Sequence, residues 1–125
     1  MPAAVILYIE DDFQNRVLVR RILEASGFTV VEAENGVIGL EKAQELVPDL
    51  ILMDINLPEM DGYEVTARLK AMELLAHIPI VAMTANVMKG DREKTMAAGC
   101  DGYIQKPIDV DLLPEQIDHF LTAMG

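Results

Sequence analysis

Two apolar runs in this chain contain no charged residue and both end in acid, which narrows the folds open to it. Residues 5–9, Val-Ile-Leu-Tyr-Ile, lead into Glu10-Asp11-Asp12, and residues 50–53, Leu-Ile-Leu-Met, lead into Asp54. A strand with one face in water alternates apolar and polar side chains, whereas a continuous run marks a strand covered on both faces. Residues 28–31, 78–83 and 102–105 supply three further short strand candidates.

The intervening segments change period. Val17, Leu18, Ile22 and Leu23 recur at helical spacing, Arg16, Arg20 and Arg21 occupy much of the other face, and Gly27 stands where a left-handed C-terminal cap is expected. Asn35-Gly36 turns the chain into a second helix, striped by Val37, Leu40, Ala43 and Val47 and stopped by Pro48. Val65, Leu69 and Met72 mark a third, over residues 62–72. Asp91 is the expected N-cap of a fourth helix that stops at Gly99, and a fifth runs to about residue 123. Pro114 fits only a first turn, where the missing amide has no partner to lose, so Asp111 is the expected cap of the last helix.

Five strands alternating with five helices predict an α/β fold, a doubly wound parallel sheet with right-handed crossovers. On such sheets ligands bind beyond the carboxyl ends of the strands, near the point where strand order reverses. Glu10, Asp11, Asp54, Thr84 and Lys106 all fall at predicted carboxyl ends.

Length and charge limit the function. The 125 residues, about half of them apolar, fit one domain over 1–125 with a single core. Ten Lys and Arg against 21 Asp and Glu give a formal charge of -11, which repels nucleic acid and anionic membrane alike, so neither is an expected partner. The single Cys100 excludes an internal disulfide and a cysteine metal cluster. The N-terminal apolar run is too short for a signal core or a membrane span, and a cytoplasmic protein is expected.

Three acids converging from two strands form a hard, oxygen-only site that suits magnesium and disfavours zinc or copper. Lys106 adds a compact positive charge and Thr84 a hydroxyl, so the outer oxygen of Asp54 would face metal, ammonium and hydroxyl. Those are the groups that a phosphoryl group requires. Asp12 is read as a solvated or helix-capping acid, Asp61 as a turn or helix cap, and His77 and His119 as surface or loop residues.

At this point the chain resembles the receiver domain of bacterial two-component response regulators, the CheY-like family. The resemblance rests on Glu10-Asp11, on Asp54 within Met-Asp-Ile-Asn-Leu-Pro-Glu-Met-Asp-Gly, on Thr84-Ala85 after Ile-Pro-Ile-Val-Ala-Met, and on Lys106-Pro107 after Gly-Tyr103-Ile-Gln. It covers essentially the whole chain and implies strand order 2-1-3-4-5. It implies that Asp54 accepts a phosphoryl group from a histidine kinase or histidine phosphotransfer protein, with Mg2+ held by Asp11 and Asp54, by Glu10 through water, and by the backbone carbonyl of Asn56. Lys106 and Thr84 would contact the phosphoryl group, and Thr84 with Tyr103 would form the switch read by a downstream effector. A cis bond before Pro107 is common in the family. Asn56 and Asn86, two residues beyond Asp54 and Thr84, would border the path of the water that removes the phosphoryl group. The segment 85–91 with Asn15 is similar to stand-alone DivK-like cell-division regulators and to the receivers of hybrid kinases.

Rival functions fit less well. A flavodoxin-type carrier should offer hydroxyls and amides in its first loop, where this chain offers three acids. A dehalogenase-like phosphohydrolase would place a second Asp where Asn56 stands, so sustained turnover is not expected. A receiver-like interaction module that never takes phosphate is the remaining alternative, as is a receiver cut from a longer regulator.

Overall fold

The computed structural model describes residues 3–58, 60–85 and 89–124, without the side chains of 89–92 and 123–124. Along the described residues the elements are β1 (Val5–Ile9), α1 (Phe13–Ala25), β2 (Thr29–Ala33), α2 (Gly36–Leu46), β3 (Leu50–Asp54), α3 (Gly62–Ala71), β4 (Ile80–Thr84), α4 (Lys89–Ala97), β5 (Gly102–Gln105) and α5 (Leu113–Met124). The strands form one parallel sheet in the order β2-β1-β3-β4-β5. The chain steps from β1 to β2 on one side and then crosses to β3 on the other, so the strand order reverses between β1 and β3. Their carboxyl ends flank the crevice where such sheets bind ligands.

Every residue of β3 and β4 is buried, as their unbroken apolar runs require. Alternate side chains enter two cores. On one face Leu7, Ile9, Ile51 and Met53 pack with Leu40 and Ala43 of α2 and Val65 and Leu69 of α3. On the other, Ile6, Tyr8, Leu50 and Leu52 pack with Val19 and Leu23 of α1 and Leu113 and Ile117 of α5. Each fully buried aliphatic side chain of this kind contributes about 1.5–3 kcal/mol. No helix among the described residues is long and apolar enough to cross a membrane.

Several element details differ from the sequence expectations. The second strand spans Thr29–Ala33 and not 28–31, because the amide of Phe28 bonds back to Leu23 O at 3.1 Å and stays in the helix-capping turn. The fourth begins at Ile80 and not at residue 78, since the amide of Ile78 is committed to Leu75 O at 3.0 Å and Pro79 has none to give. In α1 the buried residues are Val19 and Leu23, and Leu18 is exposed. In α2 the buried face is Gly36, Gly39, Leu40 and Ala43, while Val37 and Val47 are exposed. α3 stops at Ala71, with Met72 as its cap. α4 begins at Lys89, two residues before the expected cap Asp91, whose side chain lies outside the described residues. Pro114 does fall in the first turn of α5, but Asp109 replaces Asp111 as the capping acid, accepting from the amides of Asp111 at 2.9 Å and Leu112 at 3.1 Å. Gly27 and Gly99 adopt the positive φ expected of residues that end helices.

Candidate functional site

β1 carries its hydrogen-bond ladder one residue past its end, through Glu10 N to Ala33 O at 2.9 Å, and so fixes the backbone of the first acid. Asp12 then caps α1, accepting from Asn15 N at 3.0 Å, and Arg16 of the same helix donates to Glu10 O at 2.7 Å. The helix start therefore holds Glu10 and Asp11 at the crevice. Glu10 is 1% exposed. Asp54 closes β3 at 5% exposure, and its Oδ1 accepts from Asn56 N at 3.0 Å. Asp61 caps α3 by accepting from Glu64 N at 2.9 Å, and Gly62 N bonds to Ile55 O at 2.9 Å, which folds the following loop back onto the acid.

Lys106 arrives from the end of β5. Its amide bonds to Thr84 O at 2.8 Å, and its peptide bond to Pro107 is cis. Its Nζ donates to Glu10 Oε1 at 3.0 Å and to Asp54 Oδ2 at 3.3 Å. Burial pulls this ammonium down, but the hydrogen bond to Glu10 and the charges of Asp54 and Glu10 outweigh it, so its pKa lies above the ordinary lysine value. The group stays charged across physiological pH. Asp11 is more exposed; loss of solvation, its hydrogen bond with Glu10, and the charges of Glu10 and Asp12 raise its carboxyl above the usual value.

Oxygen atoms of Glu10, Asp11 and Asp54 lie within 4.8 Å of one another. Three carboxylates at that spacing, with one ammonium between two of them, leave a surplus of negative charge and an oxygen-only donor set. This fits a hard divalent cation such as Mg2+. The structure thus brings together Glu10, Asp11, Asp54 and Lys106 as the sequence led us to expect. Asn56 is exposed beside Asp54, and Thr84 is buried at the end of β4. Tyr103 pairs with Ala82 across the ladder, Thr84 with Gln105; the Tyr103 ring is half-buried beside Leu112, Gln116, His119 and Phe120. Asn86 lies outside the described residues. His77 is exposed, and His119 meets Phe120 edge-on at 5.7 Å.

One partner of the site reads in the sequence only as part of an apolar strand. Tyr8 is fully buried and its hydroxyl donates to Glu10 Oε1 at 3.1 Å. Burial, reinforced by Glu10, raises its pKa, so the phenol remains a donor. The available signal was its place two residues before Glu10, hence on the same face of the strand.

A model of the response regulator receiver domain matches residues 6–118. The chain belongs to this family. Its phosphoacceptor signalling role in two-component systems is therefore the function of this receiver. The polar-differentiation response regulator DivK of Brucella anthropi is 47% identical to the receiver over 121 residues, covering 97% of this chain and 98% of its own. The chemotaxis protein CheY4 of Vibrio cholerae superposes with a TM-score of 0.90 at 26% identity, over 94% of this chain and 98% of that one. The receiver domain of a sensor histidine kinase from Pseudomonas aeruginosa, solved with a magnesium ion coordinated in its active-site cleft, gives a TM-score of 0.89 at 32% identity, over 96% and 98%.

Proposed function

We propose that Asp54 is the phosphoacceptor of a single domain spanning residues 1–125, and that its donor is a histidine kinase or histidine phosphotransfer protein in the cytoplasm, where the ATP that charges such donors is held. The observation that supports this most is the placement of Asp54, buried at the end of β3, with one oxygen held by the Asn56 amide and the other by Lys106. In the transfer an oxygen of Asp54 bonds to phosphorus as the bond from phosphorus to the donor imidazole breaks. Two anions must approach for this to happen, and Lys106 screens part of the repulsion. Asp11 and Asp54, with Glu10 through water and the Asn56 carbonyl, would hold Mg2+, which when bound supplies the remaining positive charge. Lys106 then follows the new phosphoryl oxygens, and Thr84 donates its hydroxyl to one of them. Movement of Thr84 shifts Tyr103 between two pre-existing positions, and a downstream effector protein reads the difference. The chain acts by receiving and losing one phosphoryl group and not by sustained turnover, since Asn56 stands where a hydrolase needs an acid.

The test is intact-mass measurement after incubation with acetyl phosphate. Wild type with Mg2+ should gain one phosphoryl group, Asp54→Asn none, and wild type in EDTA almost none. Equal labelling of Asp54→Asn would remove the assignment and favour a module that signals without phosphate.

A further inference from the structure

Glu10 is anchored at several points. Its carbonyl accepts from Arg16 at 2.7 Å, and its Oε1 collects three donors, the Tyr8 hydroxyl at 3.1 Å, Lys106 Nζ at 3.0 Å and Asn15 Nδ2 at 3.4 Å. Oε2 takes a long contact from Asp12 N at 3.4 Å, and the Asp11 carboxyl also bonds to this carboxylate. The three donors are not equal. Lys106 is shared with Asp54, and Asn15 is distant, whereas Tyr8 is locked by a ring fully buried among Ile6, Leu52 and Leu23. A phenol also differs from a cation: it fixes a carboxylate without cancelling the negative charge that a metal requires.

We propose that Tyr8 is a positioning residue for Glu10, holding Oε1 so that the carboxylate turns its other oxygen toward the hydration shell of the bound cation. This rests on the metal-site reading above. Residues that orient ligands from behind commonly control metal affinity by tenfold or more, because they fix the ligand before binding. Tyr8→Phe keeps the ring and its packing and removes only the donor.

The decisive experiment is calorimetric titration of wild type, Tyr8→Phe, Glu10→Gln and the double variant with Mg2+, alongside phosphorylation by acetyl phosphate. Tyr8→Phe should weaken Mg2+ binding by about tenfold, while its phosphorylation rate at saturating Mg2+ stays within about twofold of wild type. In the Glu10→Gln background the same change should have no further effect on affinity. Independently of any change at position 8, the Tyr8 hydroxyl proton of wild type should be resolved by NMR and should be lost in Glu10→Ala. Unchanged Mg2+ affinity in Tyr8→Phe, or an equal loss in both backgrounds, would overturn the proposal while leaving the site intact. Wild type that neither binds Mg2+ nor accepts phosphoryl would instead overturn the site itself, and the role of Tyr8 with it.

Discussion

The two ends of the sheet each contain a lysine paired with aspartate, and they are built on opposite principles. At the amino ends of β4 and β5, Lys70 Nζ donates to Asp101 Oδ2 at 2.9 Å and to the carbonyls of Ala76 and Ile78 at 3.2 and 3.1 Å, while the same Asp101 oxygen accepts Ile80 N at 2.8 Å. One positive charge meets one negative charge, and backbone groups share the bonding. At the carboxyl ends, one Lys106 serves Glu10 and Asp54 while Asp11 stands near both. The first arrangement is closed, and it ties α3 to the sheet. The second is left short of positive charge, as the cation and phosphoryl site proposed above requires.

The sharpest way to break this contrast is to remove each lysine in turn. Lys106→Ala should slow phosphorylation by acetyl phosphate by about a hundredfold, the scale seen when a donor facing developing charge is removed. Lys70→Ala should leave the rate within about twofold below its melting temperature. Similar losses in both would mean that the two ends are functionally alike.

Stability should respond with opposite signs to neutralising an acid at each end. Asp101→Ala strands the half-buried Lys70 and the Ile80 amide, and a loss of about 2–3 kcal/mol is expected, a fall of roughly 10 °C in melting temperature for a domain of this size. A drop no greater than that of an ordinary surface substitution would show that Lys70 merely decorates the surface.

Metal should act on one end alone. Mg2+ at ten times its dissociation constant should stabilise the native state by about 1.4 kcal/mol through mass action, and Asp101→Ala should retain that increment in full. Melting curves of wild type that ignore millimolar Mg2+ would erase the asymmetry.

The smallest effect concerns pH. The folded pKa of Asp11 lies above its unfolded value, so the folded state holds this proton more tightly. Its charged form therefore lowers stability above the folded pKa, and the penalty fades as pH falls through that value and then the unfolded one. In EDTA at neutral pH, Asp11→Asn should melt slightly above wild type, and the difference should shrink on acidification. Lys106 behaves in the opposite sense: its raised pKa gives stability at neutral pH that is lost as pH rises through the folded value. An Asp11→Asn advantage that grew in acid would contradict the charge surplus.

The fold was legible because β1, β3 and β4 are covered on both faces and so appear as apolar runs. The acids were legible because charge directly after such a run has no packing role. Helix faces were harder to read where close approach replaces hydrophobic side chains. In α2, a Cβ on Gly39 would come within 2.5 Å of Ile9, and one on Gly36 within 2.7 Å of Val65, so the tightest contacts carry no apolar signal; of the stripe Val37, Leu40, Ala43 and Val47, the middle two are buried as expected and the outer two are exposed. Leu18 is a different case, an apolar side chain left exposed beside the buried Val19. The role of Tyr8 is not legible in the sequence because a strand pattern records the ring and not the hydroxyl at its tip.

Asp54 stands at the end of a strand whose five residues are all buried and which pairs with a neighbour on each side. In mechanical terms its carboxylate is mounted on an anvil. Gly62 lets the chain close against this mounting, since a Cβ there would lie 2.8 Å from Ile55 Cα. A group attached to Asp54 would meet a support that is buried along its length and paired on both sides. On the function proposed above, a phosphoryl group there would act on the side chains that face the carboxylate, and the strand behind it would serve as the fixed reference.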